Sequence, residues 1–187
     1  MAQRHIRSTL LLPGDETVLE WIDEIRDKIS YAASIRGKRP RDFAATLIAV
    51  LSNGTDTLIA QIGDGCAVFK DEGASEWRIP LWPDHGEYAS TTNFITDDPV
   101  VKCRITRDRA EISVLAVLTD GLERLSLDMA AQKPSSAFFD GMSKPLLAGS
   151  AGGKNVALSK MLKEYLDGEA VCSRTDDDKT LVIATKL

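Results

Sequence analysis

Cysteine and histidine are scarce in this chain, with three of one and two of the other among 187 residues. Cys66, Cys103 and Cys172 form no close pair, and an odd count spread this widely excludes a disulfide framework and a zinc knuckle. A reducing compartment fits that usage. His5 and His85 are too few for a histidine metal site, and no Cys–His nucleophile follows from residues so scattered. An excess of basic charge is missing as well: the formal net charge is -5 and the isoelectric point about 5.1, against the basic face of a nucleic-acid binder. No segment reaches the roughly 18 uninterrupted apolar residues of a membrane span. The stretch "MAQRHIRSTLLLPGD" has too short an apolar run for a secretory signal. At 43% hydrophobic and 27% charged residues, what remains is an ordinary globular chain. The expectation is a single cytoplasmic domain over residues 1–187, with neither nucleic acid nor membrane as partner.

Apolar residues at Val18, Leu19, Trp21, Ile22, Ile25, Ile29, Ala32 and Ile35 recur every three or four positions, which predicts an amphipathic helix. Asp15 or the "TVLE" box of Thr17 and Glu20 marks its start, and Gly37 with Pro40 marks its end. After it the period shortens. "ATLIAVLS" from Ala45, "TLIAQIG" from Thr57 and "CAVFK" from Cys66, separated by "NGTD" and "GDG", read as an antiparallel meander. "WRIPL" at Trp77, "VVKCRIT" at Val100, "ISVLAVLT" at Ile112 and "TLVIATK" at Thr180 bring the set to about seven strands, several apolar on both faces. Further helices are predicted after Gly121 and from Asn155 to Asp167, with "LLAGSAGGKN" as a loop before the latter. That loop fails as a phosphate-binding motif, because Ala148 stands where glycine and Asn155 where Ser or Thr is required.

Acids at strand ends carry more information. Asp64 lies in "QIGDGCAVF", Asp120 in "AVLTDGLERL", and Asp176, Asp177 and Asp178 in "RTDDDKTLVIATK". Each has a plain explanation, since Asp-Gly is a common hairpin turn and an aspartate can cap the helix after Gly121. For Asp64 the turn is the favoured reading. Three adjacent carboxylates, however, repel one another unless a cation offsets them, and carboxylate oxygens suit Mg²⁺ or Mn²⁺ better than zinc. If Asp120 and one acid of the run converge, they form half of a divalent-metal site. His85 sits in "LWPDHGEYASTTNFITDD", a polar and aromatic stretch between strands, where functional loops tend to lie but where a surface loop explains it equally well.

The segments "DFAATLIAVL", "LIAQIGDGCAVF", "HGEYASTTNFIT", "VLAVLTDGLERL" and "RTDDDKTLVIATK" resemble, in this order, successive motifs of the metal-dependent protein phosphatase 2C family, its small bacterial members above all. The resemblance runs from Arg41 to the C-terminus. It implies an α+β fold, an antiparallel β-sandwich flanked by helices, with a two-metal Mg²⁺ or Mn²⁺ centre at one end and phosphoserine or phosphothreonine protein as substrate. On that pattern Asp120 and Asp177 would bind one ion, Asp178 standing where asparagine is usual, and Asp64 would serve a third, weaker metal. His85, Glu87 and Asn93 mark the substrate region, and no protein side chain is singled out as the catalytic group. In such a centre two cations roughly 3.5–4 Å apart activate a shared water and offset charge on the phosphoryl oxygens.

One departure stands out. The family's early Val-x-Asp-Gly-x-Gly block, whose aspartate bridges both metals, is not found, and Arg4 and Arg7 lack the context of its phosphate-gripping arginine. The expectation is therefore an N-terminally incomplete fold with weak metal affinity and exposed sheet edges, managed by a homodimer or a partner chain. The alternative is an inactive phosphatase-like module that binds a phosphoprotein or a kinase.

Overall fold

The computed structural model describes residues 11–85, 92–149 and 152–186. The chain divides into two compact units, Met1–Gly65 with Pro83–Ala110, and Cys66–Trp82 with Glu111–Leu187.

The first unit holds helix α1 (Asp15–Ser34) and a sheet in the order β1 (Leu47–Ser52), β2 (Asp56–Ile62), β5 (Arg104–Arg109), all antiparallel. The helix forms where the apolar spacing predicts it, and Val18 and Ile22 bury against Leu58, Ala60, Ile62 and Ile95. Of the two expected start markers, Asp15 holds and the "TVLE" box does not. Gly14 is the cap residue and supplies no side chain, while Thr17 and Glu20 lie inside the helix. Asp15 is instead the first helical residue, where its charge meets the positive end of the helix dipole and the Arg107 guanidinium at 2.6 Å. At the other end Gly37 adopts φ +61°, and Lys38 N–H donates to the Ala33 carbonyl at 3.0 Å, the left-handed stop that the sequence foretold. Asn53 turns the chain from β1 into β2, its side-chain oxygen accepting from the N–H groups of Thr55 and Asp56.

The expected meander stops there. β2 carries β1 on one edge and β5 on the other, so no edge is left for a third consecutive strand. β3 (Cys66–Asp71) belongs to the second unit, in a sheet of order β4 (Trp77–Arg78), β3, β6 (Ile112–Leu118), β9 (Leu181–Thr185). "GDG" is thus a crossing between sheets and not a hairpin turn. Two expected strands also differ in extent. β5 lies later than the expected Val100–Thr106 stretch, running Arg104–Arg109, with Gln61 opposite Arg104 as its first pair with β2. β4 is two residues long and closes before Pro80, which has no N–H for a ladder.

Val68, Val114, Ala116, Leu118 and Leu181 of the second sheet share a core with Leu122, Phe139, Leu166 and Val171. After Gly121 the helix is brief, a 3-10 turn (Asp120–Leu122) and α2 (Glu123–Ser126), followed by the short pair β7 (Leu127–Asp128) and β8 (Lys133–Pro134). Helix α3 (Ser136–Leu147) was not foreseen, because Gly141 and Pro145 both argue against a helix. Packing overrides them. Phe139 is buried with its ring 5.2 Å from Trp77, and Asp140 accepts from both Trp77 Nε1–H and the Lys70 ammonium at 2.8 Å. Burial of one such ring is worth about 3–5 kcal/mol on truncation to Ala, against about 1 kcal/mol for a glycine and about 3 kcal/mol for a proline in a helix interior, and the two hydrogen bonds to Asp140 add to the favourable side. α4 (Val156–Leu166) follows as expected, capped by Asn155, whose side chain accepts from Leu158 N–H at 3.0 Å. α5 (Glu169–Cys172) leads into the acidic run. Leu146 and Leu147 of the expected glycine-rich loop belong to α3, and Ser150 and Ala151 lie outside the described residues.

Candidate metal centre

β6 and β9 are antiparallel neighbours in register Leu118 opposite Leu181. The residue leaving β6, Thr119, therefore faces the residue entering β9, Thr180, and the ladder continues one step: Thr119 N–H donates to the Thr180 carbonyl at 3.2 Å. The Thr119 hydroxyl accepts from Thr180 N–H at 3.0 Å and donates to the Asp178 carbonyl at 3.4 Å. Beyond it the two turns meet. Gly121 is buried, and a Cβ placed on it would lie 2.3 Å from the Asp178 carbonyl oxygen and 3.4 Å from Asp177 Cβ. Glycine is required at 121 for this close approach.

Asp120 and Asp177 are both exposed on these abutting turns. Each binds its follower locally, Asp120 Oδ1 accepting from Gly121 N–H at 2.9 Å and Asp177 Oδ1 from Asp178 N–H at 2.8 Å. These bonds fix the carboxylates without burying them. Carboxylates carried on two such turns would be hard oxygen donors of the kind that suit Mg²⁺ or Mn²⁺. Among the described residues no group of three or more His, Cys, Asp or Glu is placed to hold a metal, so a two-metal centre is not built from them.

Asp64, half-buried, sits in the first unit on the crossing loop. Gly63 has φ +95°, and a Cβ there would meet Thr46 Cγ2 at 2.4 Å and the Asn93 carbonyl at 3.0 Å. The buried Gln61 side chain donates through Nε2 to the carbonyls of Gly63, at 3.2 Å, and Gly65, at 2.6 Å. Asn93 backs this loop, and its amide donates to Asp84 at 3.5 Å, while Asp84 pairs with Lys102 at 2.8 Å. His85 follows Asp84 and is exposed. Glu87 lies outside the described residues. A cavity of about 660 Å³ in the first unit, lined in part by Arg26, Arg39 and Arg41, includes none of the candidate acids.

Burial, with a smaller contribution from Glu123, pushes the Cys66 thiol up to about 12, so it is no nucleophile near neutral pH. Thr119, Gly121 and Gln61 escaped the sequence reading. Thr119 and Gly121 flank Asp120, and a hydroxyl residue before Asp-Gly at a strand end is the signal that was available.

A family profile described as protein phosphatase 2C matches residues 1–167. The chain belongs to the protein phosphatase 2C family, whose members are in general metal-dependent. Serine/threonine-protein phosphatase 3 of Escherichia coli strain K12 is 38% identical over 161 residues, which make up 86% of this chain and 62% of that protein. The chain thus spans less than two thirds of that relative's length. The solved structures of a bacterial serine phosphatase and of the serine/threonine phosphatase Stp1 from Staphylococcus aureus match with TM-scores of 0.55 and 0.56, each at 16% identity. They cover 93% and 95% of this chain and 72% and 71% of theirs. That likeness establishes the fold, antiparallel sheets and helices of the phosphatase 2C type.

Proposed function

We propose that this chain hydrolyses phosphoserine and phosphothreonine monoesters of proteins with the aid of Mg²⁺ or Mn²⁺. The observation that carries the reading is the meeting of the Asp120 turn with the Asp177 run at one end of β6 and β9. Asp120 and Asp177 would hold the ion. Once bound, it supplies a water of lowered pKa and offsets charge on the phosphoryl oxygens. The residues themselves contribute placement. The abutting turns at the ends of β6 and β9 support a shared rim for two acids distant in the chain, and their exposure would leave room for a phosphorylated side chain on a protein surface. Asp64 would serve a further, weaker ion, and His85, Glu87 and Asn93 the substrate region. With so few protein carboxylates, metal affinity is expected to be weak.

Both units are read as one phosphatase 2C-like domain, a reading supported by a family match that runs through each of them. The three free cysteines favour the cytoplasm. No helix among the described residues is long and apolar enough to cross a membrane. Among the described residues β9 is the last strand of its sheet, and such an edge favours a second chain along it. A monomer in light scattering would remove that part of the reading.

Hydrolysis of p-nitrophenyl phosphate and of a phosphoserine peptide, with Mn²⁺ and with chelator, tests the activity. The expected result is Mn²⁺-dependent turnover that Asp120→Asn lowers by about a hundredfold or more, the scale of a lost electrostatic contact to the reacting group. Phosphopeptide binding without turnover would support the inactive-module alternative instead.

A further inference from the structure

We propose that Thr119 is a positioning residue for the metal-binding acids, its hydroxyl fastening the Asp176–Asp178 run to the turn that carries Asp120. The inference rests on the reading of Asp120 and Asp177 as metal donors. Its own support is independent of any metal. Asp176, Asp177 and Asp178 are exposed and adjacent, so like-charge repulsion works to spread them, and solvent offers no restoring contact. Inside the run, Asp177 N–H reaches Thr175 Oγ1 at 3.3 Å and Lys179 Nζ reaches the Asp177 carbonyl at 3.3 Å, both ties to near neighbours. The Thr119 side chain differs in kind, bridging 59 and 61 positions of sequence. One hydroxyl group accepts from Thr180 N–H, just past the run, and donates to the Asp178 carbonyl at its end, so it ties the junction of the acidic run with β9 to the Asp120 turn.

The consequence is preorganisation. A divalent ion binding to a preset pair of carboxylates does not have to order the run itself, and partners that orient ligands typically govern metal affinity by about ten- to a hundredfold. Thr119→Val keeps the shape and removes the hydroxyl. Thr119→Ser keeps the hydroxyl and removes a methyl.

The experiment is Mn²⁺ binding to the full chain, followed by the electron paramagnetic resonance of free Mn²⁺ without substrate, alongside thermal melting in chelator. Thr119→Val should bind Mn²⁺ at least about tenfold more weakly, Thr119→Ser within about threefold of the unaltered chain, and Asp120→Asn not measurably. Melting in chelator should be nearly the same for Thr119→Val and Thr119→Ser, which separates orientation from a general loss of fold. Unchanged Mn²⁺ affinity in Thr119→Val, with binding lost in Asp120→Asn, overturns this inference and leaves the metal reading standing. Equal loss in the Val and Ser variants also overturns it, because the hydroxyl would then be irrelevant. If the unaltered chain binds no Mn²⁺, the metal reading and this inference fall together.

Discussion

Gly121→Ala tests the juxtaposition of the two acidic turns without touching either acid. Gly121 is buried, and the added methyl would sit 2.3 Å from the Asp178 carbonyl oxygen and 3.1 Å from its carbon. Real Cβ contacts essentially never fall under 3.0 Å, so the Asp178 backbone has to retreat by about 0.7 Å or more. The obstacle is main chain and has no flexible end to swing aside. Overpacking of this kind costs about 1–3 kcal/mol. The functional effect should be larger than the stability effect, because a displacement near 1 Å in a reacting geometry lowers rate by about a hundredfold. Mn²⁺-dependent hydrolysis of p-nitrophenyl phosphate should accordingly drop by one to two orders of magnitude while circular dichroism shows a folded chain. Activity and Mn²⁺ affinity within about twofold of the unaltered chain would mean that the turns are not in contact where it matters.

Three further substitutions probe the fold. Gly141→Ala, on the exposed side of α3 with nothing within 4 Å of its added methyl, should raise stability by about 0.5–1 kcal/mol in urea unfolding; a loss would mean that the helix needs the glycine. Gln61→Ala removes two hydrogen bonds to the carbonyls of the crossing loop and opens a buried space, and should cost about 2–4 kcal/mol by the same measurement. A cost under about 0.5 kcal/mol would show that the loop holds its own shape. Cys66 gives a pH dependence. Its folded thiol stays protonated up to about 12 whereas the unfolded one ionises near 9.0, so the folded state holds more protons in that window. Stability is therefore full below the unfolded value and declines as pH rises toward the folded one, by on the order of 1 kcal/mol per pH unit. Cys66→Ala should flatten that alkaline slope in denaturant midpoints, and an equal slope in both proteins counts against the assignment.

The local elements and the kinds of chemistry available are written in the order of residues along the chain. The three-four spacing from Val18 built α1, Gly37 ended it, Asn155 capped α4, and the apolar runs ending in Asp120 and preceded by Asp176–Asp178 became β6 and β9. The motif order pointed to the family that the profile match then established. These signals are legible because periodicity, turns and caps depend on neighbours a few residues away. α3 escaped for the opposite reason: Gly141 and Pro145 are unfavourable locally, and non-local contacts such as that of Phe139 with Trp77 and the hydrogen bonds to Asp140 offset them. The turn at Gly63 was misjudged because a hairpin needs a free edge, and whether β2 has one depends on β5, more than forty positions later. That Asp120 and Asp177 lie on touching turns follows from the folded arrangement alone, because strand register is a non-local property set by burial of alternate faces. No local pattern in either segment records which partner the other strand will be.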